Sequence, residues 1–261
     1  MKVEILASTI SDNFFYLLHE GGDGILIDPI DAGLALRAVE SLGLTDIRIL
    51  VTHGHPDHVD GNEEVADALD ALVLAPAQAV AWPVAHDVGL QEGDVVPLGD
   101  TLLKVWQVPG HTEDHLMFFT DEHLFVGDLL FFGGVGHCRA GGDVADLCRS
   151  VARLSGLPGG ARVYPGHDYS GTNNKFGRSV LPSHEGLMQL EGRLLAQAQP
   201  RVLWCSTLDD ERATNPFLRT QDELLQQSVR DLAPEWRSEL PVSDATFFAL
   251  RAMRDRFVVP S

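Results

Sequence analysis

Four short segments of the chain place metal-binding side chains directly after apolar runs of the kind that form β-strands. The first run ends at Val51 and precedes three histidines and one aspartate, whereas each of the other runs precedes one candidate ligand. Imidazole and carboxylate ligands without thiolate favour a catalytic site for Zn²⁺, iron or Mn²⁺ over a closed structural site. The seven candidate ligands are His53, His55, Asp57, His58, His111, Asp128 and His167.

The number of ligands predicts two ions that share one ligand, because one tetrahedral ion cannot bind all of them. Alternate residues of an extended chain point the same way, so His53 and His55 can bind one ion together. Pro56 interrupts that alternation and leaves Asp57 and His58 free to face a second ion. A single such segment is more often an ordinary loop, but four strand ends that all carry ligands indicate a binuclear metallohydrolase.

These motifs resemble those of the metallo-β-lactamase superfamily, and further motifs resemble its glyoxalase II branch. The superfamily motifs are Thr-His-x-His-x-Asp-His at 52–58, Pro-Gly-His-Thr at 109–112, Gly-Asp at 127–128 and Gly-His at 166–167. The branch motifs are Asp-Tyr at 168–169, Asn-Lys-Phe at 174–176 and the stretches 207–219 and 251–257. The resemblance covers nearly the whole chain. It implies an α/β fold, a four-layer αββα metallo-β-lactamase sandwich with a C-terminal helical domain, and metals at one edge of the sandwich.

We predict two domains, a metal-binding catalytic domain at 1–172 and a helical substrate-binding domain at 173–261. The apolar pattern of the first domain predicts strands at 13–18 and 24–28 and helices at 32–42 and 61–72. We expect Asp60 and Glu63 to form a capping box that opens the last of these helices.

Three helices are expected in the second domain. The leucine spacing predicts one helix over 187–195. Thr220 with Glu223 predicts the cap of the next helix, and Ser243 is expected to start the third. The change from alternating strands and helices to helices alone is what separates this region from the first domain.

The resemblance implies a role for each ligand. The first ion would be held by three histidines: His53, His55 and His111. The second ion would be held by Asp57, His58 and His167. Asp128 would bridge the two ions, and it is expected, with Asp57, to be a catalytic carboxylate. Two ions lower the pKa of a shared water toward roughly 7 and so make hydroxide available for attack on an acyl carbon. Zn²⁺ is the expected metal, with iron or Mn²⁺ as alternatives.

Substrate-binding residues are also implied by the resemblance. In glyoxalase II, the glutathione half of a thioester is held by a tyrosine after the last metal histidine and by basic residues on the final helix. Tyr169 matches the tyrosine, and Arg251 and Arg254 match the basic residues. Their spacing of three residues places both arginines on one helix face, where they could hold a carboxylate. Spacing alone equally permits that they only complement the negative end of the helix.

The chain departs from the glyoxalase II pattern at three positions. His137 stands where the family has lysine or arginine, Arg139 stands where it has an aromatic residue, and Asp114 stands where it has glycine. We include His137 and Arg139 among the candidate substrate-binding residues. We predict a metal-dependent thioester hydrolase that cleaves a hydroxyacylglutathione, such as lactoylglutathione, to a hydroxy acid and a free thiol, with the thiol carrier left open by these departures.

Three alternatives remain at this stage. The first is a persulfide dioxygenase of the same superfamily, with one iron bound by His53, His111 and Asp128. The second is a hydrolase whose substrate lacks glutathione. The third is a non-catalytic binding protein on an enzyme scaffold, which the intact ligand set disfavours but the fold alone does not exclude.

The charge balance excludes some partners. The chain has 19 basic and 38 acidic residues, for a net charge of −19, which repels nucleic acid and anionic membranes. Either a lysine-poor proteome or adaptation to high salt would explain this balance. The three cysteines show no disulfide spacing, and no apolar run is long enough to span a membrane. We therefore expect a cytoplasmic monomer or small homo-oligomer that acts on a small-molecule thioester.

Overall fold

The computed structural model describes residues 1–78, 82–196, 206–234 and 236–259. The first of its two six-stranded sheets consists, in spatial order, of β1 (Lys2–Ala7), β2 (Phe14–Glu20), β3 (Asp23–Ile27), β4 (Asp46–Leu50), β5 (Leu72–Pro76) and β6 (Val88–Leu90). The second sheet consists of β7 (Val95–Leu98), β8 (Thr101–Gln107), β9 (Leu116–Phe119), β10 (His123–Gly127), β13 (Arg162–Pro165) and β14 (Ser206–Thr207). A short hairpin is formed by β11 (Leu130–Phe131) and β12 (Gly134–Val135).

Nine α-helices lie in the described residues. They are α1 (Ala32–Leu42), α2 (Pro56–Val59), α3 (Asn62–Leu69), α4 (Val144–Arg153), α5 (Ser170–Val180), α6 (Glu185–Ala196), α7 (Leu208–Thr214), α8 (Glu223–Leu232) and α9 (Val242–Arg256). Short 3-10 helices lie at Leu154–Gly156 and Pro216–Leu218. The predicted division between residues 172 and 173 falls inside α5. No helix in the described part of the chain has both the length and the apolar character that a membrane span requires.

The layers of the sandwich follow from the alternation of side chains along the strands. In β2, Phe15 and Leu17 pack with α1 and α3 in one apolar cluster. Tyr16 and Leu18 point the other way, into a second cluster that contains residues of the facing sheet. Because successive side chains of a strand lie on opposite faces, β2 is buried on both. The predicted αββα sandwich followed by a helical region is confirmed.

Strand direction brings the ends of several strands to the same edge. β3, β4, β5 and β6 run parallel in the first sheet, and β10 runs parallel to β13 in the second. The other pairs in the two sheets are antiparallel. The carboxyl ends of parallel strands in α/β folds are where ligands commonly bind. In this chain, six of the seven predicted metal ligands follow the parallel strands β4, β10 and β13, and His111 follows the antiparallel strand β8.

Two predicted helix caps are wrong, although the helices exist. α3 begins at Asn62 after Gly61, because Asp60 already ends the separate helix α2 and donates its backbone N–H to Pro56 O. α8 is capped by Asp222 rather than by Thr220, since the Asp222 carboxylate accepts from the backbone N–H groups of Leu224 and Leu225. Only the second case is a competition between two polar residues for one cap, because the N-cap residue of α3 is Gly61, which has no side chain. The predicted helix at 32–42 is confirmed with the same bounds.

The buried Glu211 ties the C-terminal region to the β11–β12 hairpin. Its carboxylate accepts from Gly133 N at 2.8 Å, from Ser206 Oγ at 2.8 Å and from Asn215 Nδ2 at 3.2 Å. Asn215 Nδ2 also lies 3.0 Å from Gly134 O. Burial raises the pKa of Glu211 to about 7, even though these three donors lower it. The folded protein therefore favours the neutral carboxyl group more than the unfolded chain does.

We expect the contribution of Glu211 to stability to decline as pH rises. The folded-state pKa of Glu211 lies above its ordinary value of 4.5, so the stabilisation is complete below that value and is lost as pH rises through about 7. Urea unfolding of the wild type and of Glu211→Gln from pH 4.5 to 8 measures this directly. Relative to that of the glutamine variant, the free energy of unfolding of the wild type should fall by up to about 3 kcal/mol across this range. A difference that is constant across this range would contradict the prediction.

Candidate metal centre

The seven predicted ligands converge at one edge of the sandwich. They reach it from four places in the chain: the loop after β4 and helix α2, the turn between β8 and β9, the end of β10 and the end of β13. Six of the seven are buried, and Asp57 is partly exposed. Three groups of potential ligand atoms within 4.8 Å of one another are His53–His55–His111, His53–His58–Asp128 and Asp57–His58–His167.

The first group is formed by three imidazoles. His55 Nδ1 lies 3.1 Å from His53 Nε2 and 3.0 Å from His111 Nε2. Burial lowers the pKa of His53 well below its ordinary value and lowers that of His111 to about 4. His53 and His111 are therefore neutral at pH 7, and the neutral form is the one that binds metal ions.

The second group contains a carboxylate. Asp57 Oδ2 lies 3.3 Å from His167 Nε2 and 4.0 Å from His58 Nε2. The hydrogen bond from His167 lowers the pKa of Asp57, although its partial burial opposes this shift. Burial lowers the pKa of His58, but the nearby Asp128 and Asp28 carboxylates raise it further. The carboxylates around His58 thus favour positive charge at this second group.

Asp128 lies between the two groups. Its Oδ2 is 3.5 Å from His111 Nε2 and 3.7 Å from His167 Nε2, and its Oδ1 is 3.5 Å from His58 Nε2. The Oδ1 atom is buried and has no hydrogen-bond partner among the described residues. A buried carboxylate oxygen without a partner is costly unless a cation neutralises it. This position suits the shared ligand of two ions.

In each of the five histidine ligands, the ring nitrogen that points away from the cluster has an oxygen acceptor. The contacts are His53 Nδ1 to Thr52 Oγ1 at 3.0 Å, His55 Nε2 to Ala140 O at 3.1 Å, His58 Nδ1 to Asp28 Oδ2 at 2.8 Å, His111 Nδ1 to His137 O at 2.7 Å and His167 Nδ1 to Asp12 Oδ1 at 3.2 Å. The Thr52 hydroxyl itself donates to Asp28, so His53 must be the donor to Thr52. A histidine that binds a metal ion is neutral, and for that form we assign the proton of each ring to its outward nitrogen from these partners.

This assignment leaves unprotonated nitrogens facing one another inside the cluster. His55 Nδ1 and His111 Nε2 approach to 3.0 Å with no proton between them, an arrangement that repels unless a cation lies within reach of both lone pairs. The same outward hydrogen bonds are those that orient histidine ligands in metal sites. The donors and their tautomers therefore fit divalent metal ions.

Several residues that support the ligands were not identified from the sequence. Asp28 accepts from both His58 Nδ1 and Thr52. Asn13 Nδ2 lies 3.2 Å from Asp57 Oδ2 and 3.3 Å from His167 Nε2. The ring of His115 stacks on that of His53 at 4.7 Å, and its Nε2 accepts from Asp128 N. Only Asp28 carried a sequence signal, since it follows a strand as the ligands do.

Two of the five predicted substrate-binding residues, Tyr169 and His137, pack against ligands of this centre, and Arg139 and Arg254 lie near these two. The ring of Tyr169 stacks on that of His167, with centroids 5.0 Å apart. The ring of His137 lies 5.1 Å from that of His111, and its Nδ1 accepts from the backbone N–H of Arg139. Arg139 is exposed. The partly buried Arg254 donates from Nε to Asn173 Oδ1 at 3.1 Å, and the positive charge of Arg139 lowers its pKa beyond the effect of burial.

The fifth residue, Arg251, has a different environment. Its side chain is buried, with 4% of its surface exposed, and its guanidinium donates to Val135 O, Gly136 O and Asp255 Oδ1. All of these contacts are made within the protein, so they do not test a role in substrate binding. The assignment of Arg251 to substrate binding therefore stays a prediction.

No activated thiol accompanies the cluster in the described residues. Burial raises the pKa of Cys138 to about 12 and that of Cys148 to about 11, so neither is a thiolate at neutral pH. Cys205 lies outside the described residues. Neither Cys138 nor Cys148 is therefore a candidate nucleophile.

Asp114, where the glyoxalase II pattern has glycine, is buried, and burial raises its pKa.

Comparison with known proteins identifies the family of this chain. The model of the metallo-beta-lactamase superfamily matches residues 11–167, and the model described as the C-terminus of hydroxyacylglutathione hydrolase matches residues 168–257. A hydroxyacylglutathione hydrolase of Anaeromyxobacter dehalogenans is 39% identical over 250 residues, which cover 94% of this chain and 96% of that protein. One from Pseudomonas putida (KT2440) is 36% identical, covering 98% of this chain and 100% of that protein.

Solved structures show the same fold. ETHE1 from Myxococcus xanthus superposes with a TM-score of 0.66 over 97% of this chain and 98% of its own, at 24% identity. TTHA1623, solved in a di-iron-bound form, has a TM-score of 0.56 and 29% identity over 79% of this chain and 95% of its own. The chain belongs to the metallo-β-lactamase superfamily and, within it, to the hydroxyacylglutathione hydrolase, or glyoxalase II, family.

Proposed function

We propose that the protein is a binuclear metallohydrolase that cleaves the thioester bond of a hydroxyacylglutathione. The observation that carries the proposal is the position of Asp128 between two complete groups of ligands. A mononuclear enzyme would have no use for the second group, formed by Asp57, His58 and His167. The relatives named hydroxyacylglutathione hydrolase, and the match of residues 168–257 to the C-terminus of that enzyme, support the substrate class.

Two divalent ions in this site would supply hydroxide near neutral pH and polarise the acyl carbonyl group. The protein contributes their placement. Asp28 and Thr52 hold the rings of His58 and His53 by their outward nitrogens. The Asn13 amide donates to Asp57 Oδ2, which fixes the direction of that carboxylate. We assign no side-chain nucleophile to the reaction.

Recognition of the thiol carrier is proposed for the residues beside the cluster. Arg139 and Arg254 bring positive charge to a protein whose net charge is −19, so they favour the carboxylates of a peptide thiol locally. Tyr169, stacked on His167, presents an aromatic ring to the same place. His137 offers a polar ring next to His111. We assign substrate binding to these four residues.

We propose Zn²⁺ as the metal, with iron or Mn²⁺ as alternatives. Imidazole and carboxylate donors accept all three ions. The di-iron-bound form of TTHA1623 shows that one relative holds iron. A reducing cytoplasmic location and a monomeric or small homo-oligomeric state remain predictions.

Metal analysis combined with substrate tests distinguishes the candidate functions. We expect close to two equivalents of metal per chain and hydrolysis of lactoylglutathione, measured by loss of the thioester absorbance. The same acyl group on coenzyme A and on N-acetylcysteine tests the carrier, and faster cleavage of either would overturn the choice of glutathione. One equivalent of iron with oxygen uptake that depends on a persulfide would instead identify a dioxygenase.

A further inference from the structure

The loop between β12 and α4, residues 136–143, orients two ligands of the first group. The carbonyl oxygen of His137 accepts from His111 Nδ1 at 2.7 Å. The carbonyl oxygen of Ala140 accepts from His55 Nε2 and from Trp82 Nε1, each at 3.1 Å. Acceptors of this kind fix the orientation and tautomer of a histidine ligand. Two of the three imidazoles in the first group therefore depend on the position of this one loop.

The β12–α4 loop is packed directly against the ligand segments. A Cβ atom at Gly136 would lie 2.1 Å from Asp128 O, and one at Gly142 would lie 2.0 Å from Gly110 O. Gly141 has a φ of +92°, a conformation that residues with a Cβ rarely adopt. The approach is so close that a shift of the loop must move the ligand segments or lose the hydrogen bonds to them.

Arg251 holds the start of this loop from helix α9. Its Nη1 lies 2.8 Å from Val135 O and 3.1 Å from Gly136 O, and its Nη2 lies 2.9 Å from Asp255 Oδ1. The guanidinium thus donates to the two carbonyl groups from one nitrogen and to Asp255 from the other, whereas a lysine side chain has a single nitrogen. Arg254, on the same helix, is less buried and contacts Asn173 instead.

We propose that Arg251 is a positioning residue for the first metal group. It acts through the carbonyl groups at the start of the β12–α4 loop, and the loop in turn fixes the rings of His55 and His111. The C-terminal helical region thereby contributes to metal binding in the sandwich. This inference rests on the two-ion site proposed above, but it does not depend on the identity of the substrate.

Titration of the metal-free protein with Co²⁺, followed by absorbance, tests the proposal without any substrate. Arg251→Met should weaken one of the two Co²⁺ dissociation constants by roughly tenfold or more, as loss of outer support does in other metal sites. His55→Ala, which removes a ligand of the first group, identifies which constant belongs to that group. Hydrogen exchange of the amides at 134–142 should become faster in Arg251→Met.

Arg254→Met is the matched control on the same helix. It should leave both Co²⁺ constants and the exchange of 134–142 unchanged and raise KM for the thioester, whereas Arg251→Met should lower kcat more than it alters KM. Unchanged Co²⁺ binding together with a raised KM in Arg251→Met would overturn the proposal and return Arg251 to substrate binding.

A second variant covers the case in which Arg251→Met does not fold. Arg251→Lys retains a cation but has one nitrogen in place of two, so it cannot hold the two carbonyl groups and Asp255 as the guanidinium does. Its first-group constant should still weaken by roughly threefold or more. Wild-type Co²⁺ binding and wild-type exchange in Arg251→Lys would show that the bridge does not position the loop, and would overturn the proposal.

Discussion

Asp128→Ala should lower hydrolysis by a hundredfold or more, on the order of 3 kcal/mol in the activation barrier. Asp128 is the one ligand of the seven whose carboxylate oxygens lie within 4 Å of imidazoles from both groups. Its removal should therefore weaken both ions and allow them to separate. Metal content after dialysis and kcat/KM for the thioester are the measurements, and both should fall.

Two comparisons make this result specific. The backbone N–H of Asp128, which donates to His115, is retained in the alanine variant, so the local fold should survive and the melting temperature should show it. Asp57→Ala should weaken mainly the second ion, because Asp57 contacts only His58 and His167 of the other ligands. Two equivalents of metal with near-normal turnover in Asp128→Ala would refute the shared-ligand assignment.

The ligands could be predicted from the sequence because each one follows a strand within a few residues. A strand fixes where its end lies, so local pattern is sufficient to identify the candidates. The supporting residues depend instead on contacts between distant parts of the chain. Asn13 donates to Asp57, 44 residues away, and lies against His167, 154 residues away. Nothing in the sequence around Asn13 distinguishes it from an ordinary loop asparagine.

The helical periodicity of α9 was likewise insufficient to predict the environment of its two arginines. A spacing of three places Arg251 and Arg254 on neighbouring parts of one helix face, but it does not determine the depth at which each side chain lies. The structure buries Arg251 against the carbonyl groups of Val135 and Gly136 and leaves Arg254 partly exposed. The difference depends on the position of the β11–β12 hairpin, which Glu211 and Asn215 fix from another helix.

Gly166→Ala should lower hydrolysis by about a hundredfold although no ligand is removed. A Cβ atom at this position would lie 2.5 Å from Asp128 Oδ1 and 2.6 Å from His58 Cε1. Gly166 cannot retreat easily, because its N–H donates to Gly127 O and its carbonyl oxygen accepts from Phe14 N. The added methyl group must therefore displace the shared carboxylate or the His58 ring. We expect loss of metal chiefly from the second group.

Gly160→Ala is the matched control for this substitution, since a Cβ atom there has no neighbour within 4 Å. Both variants should be compared by metal content, kcat and melting temperature. A folded Gly166→Ala protein that binds one ion tightly and has lost turnover would show that the spacing between Asp128 and His58 is itself required. Wild-type metal content and turnover would mean that the ligands can move apart without cost. That outcome would contradict a shared carboxylate held in place by the strand ends, because such a carboxylate has no room to accommodate the methyl group.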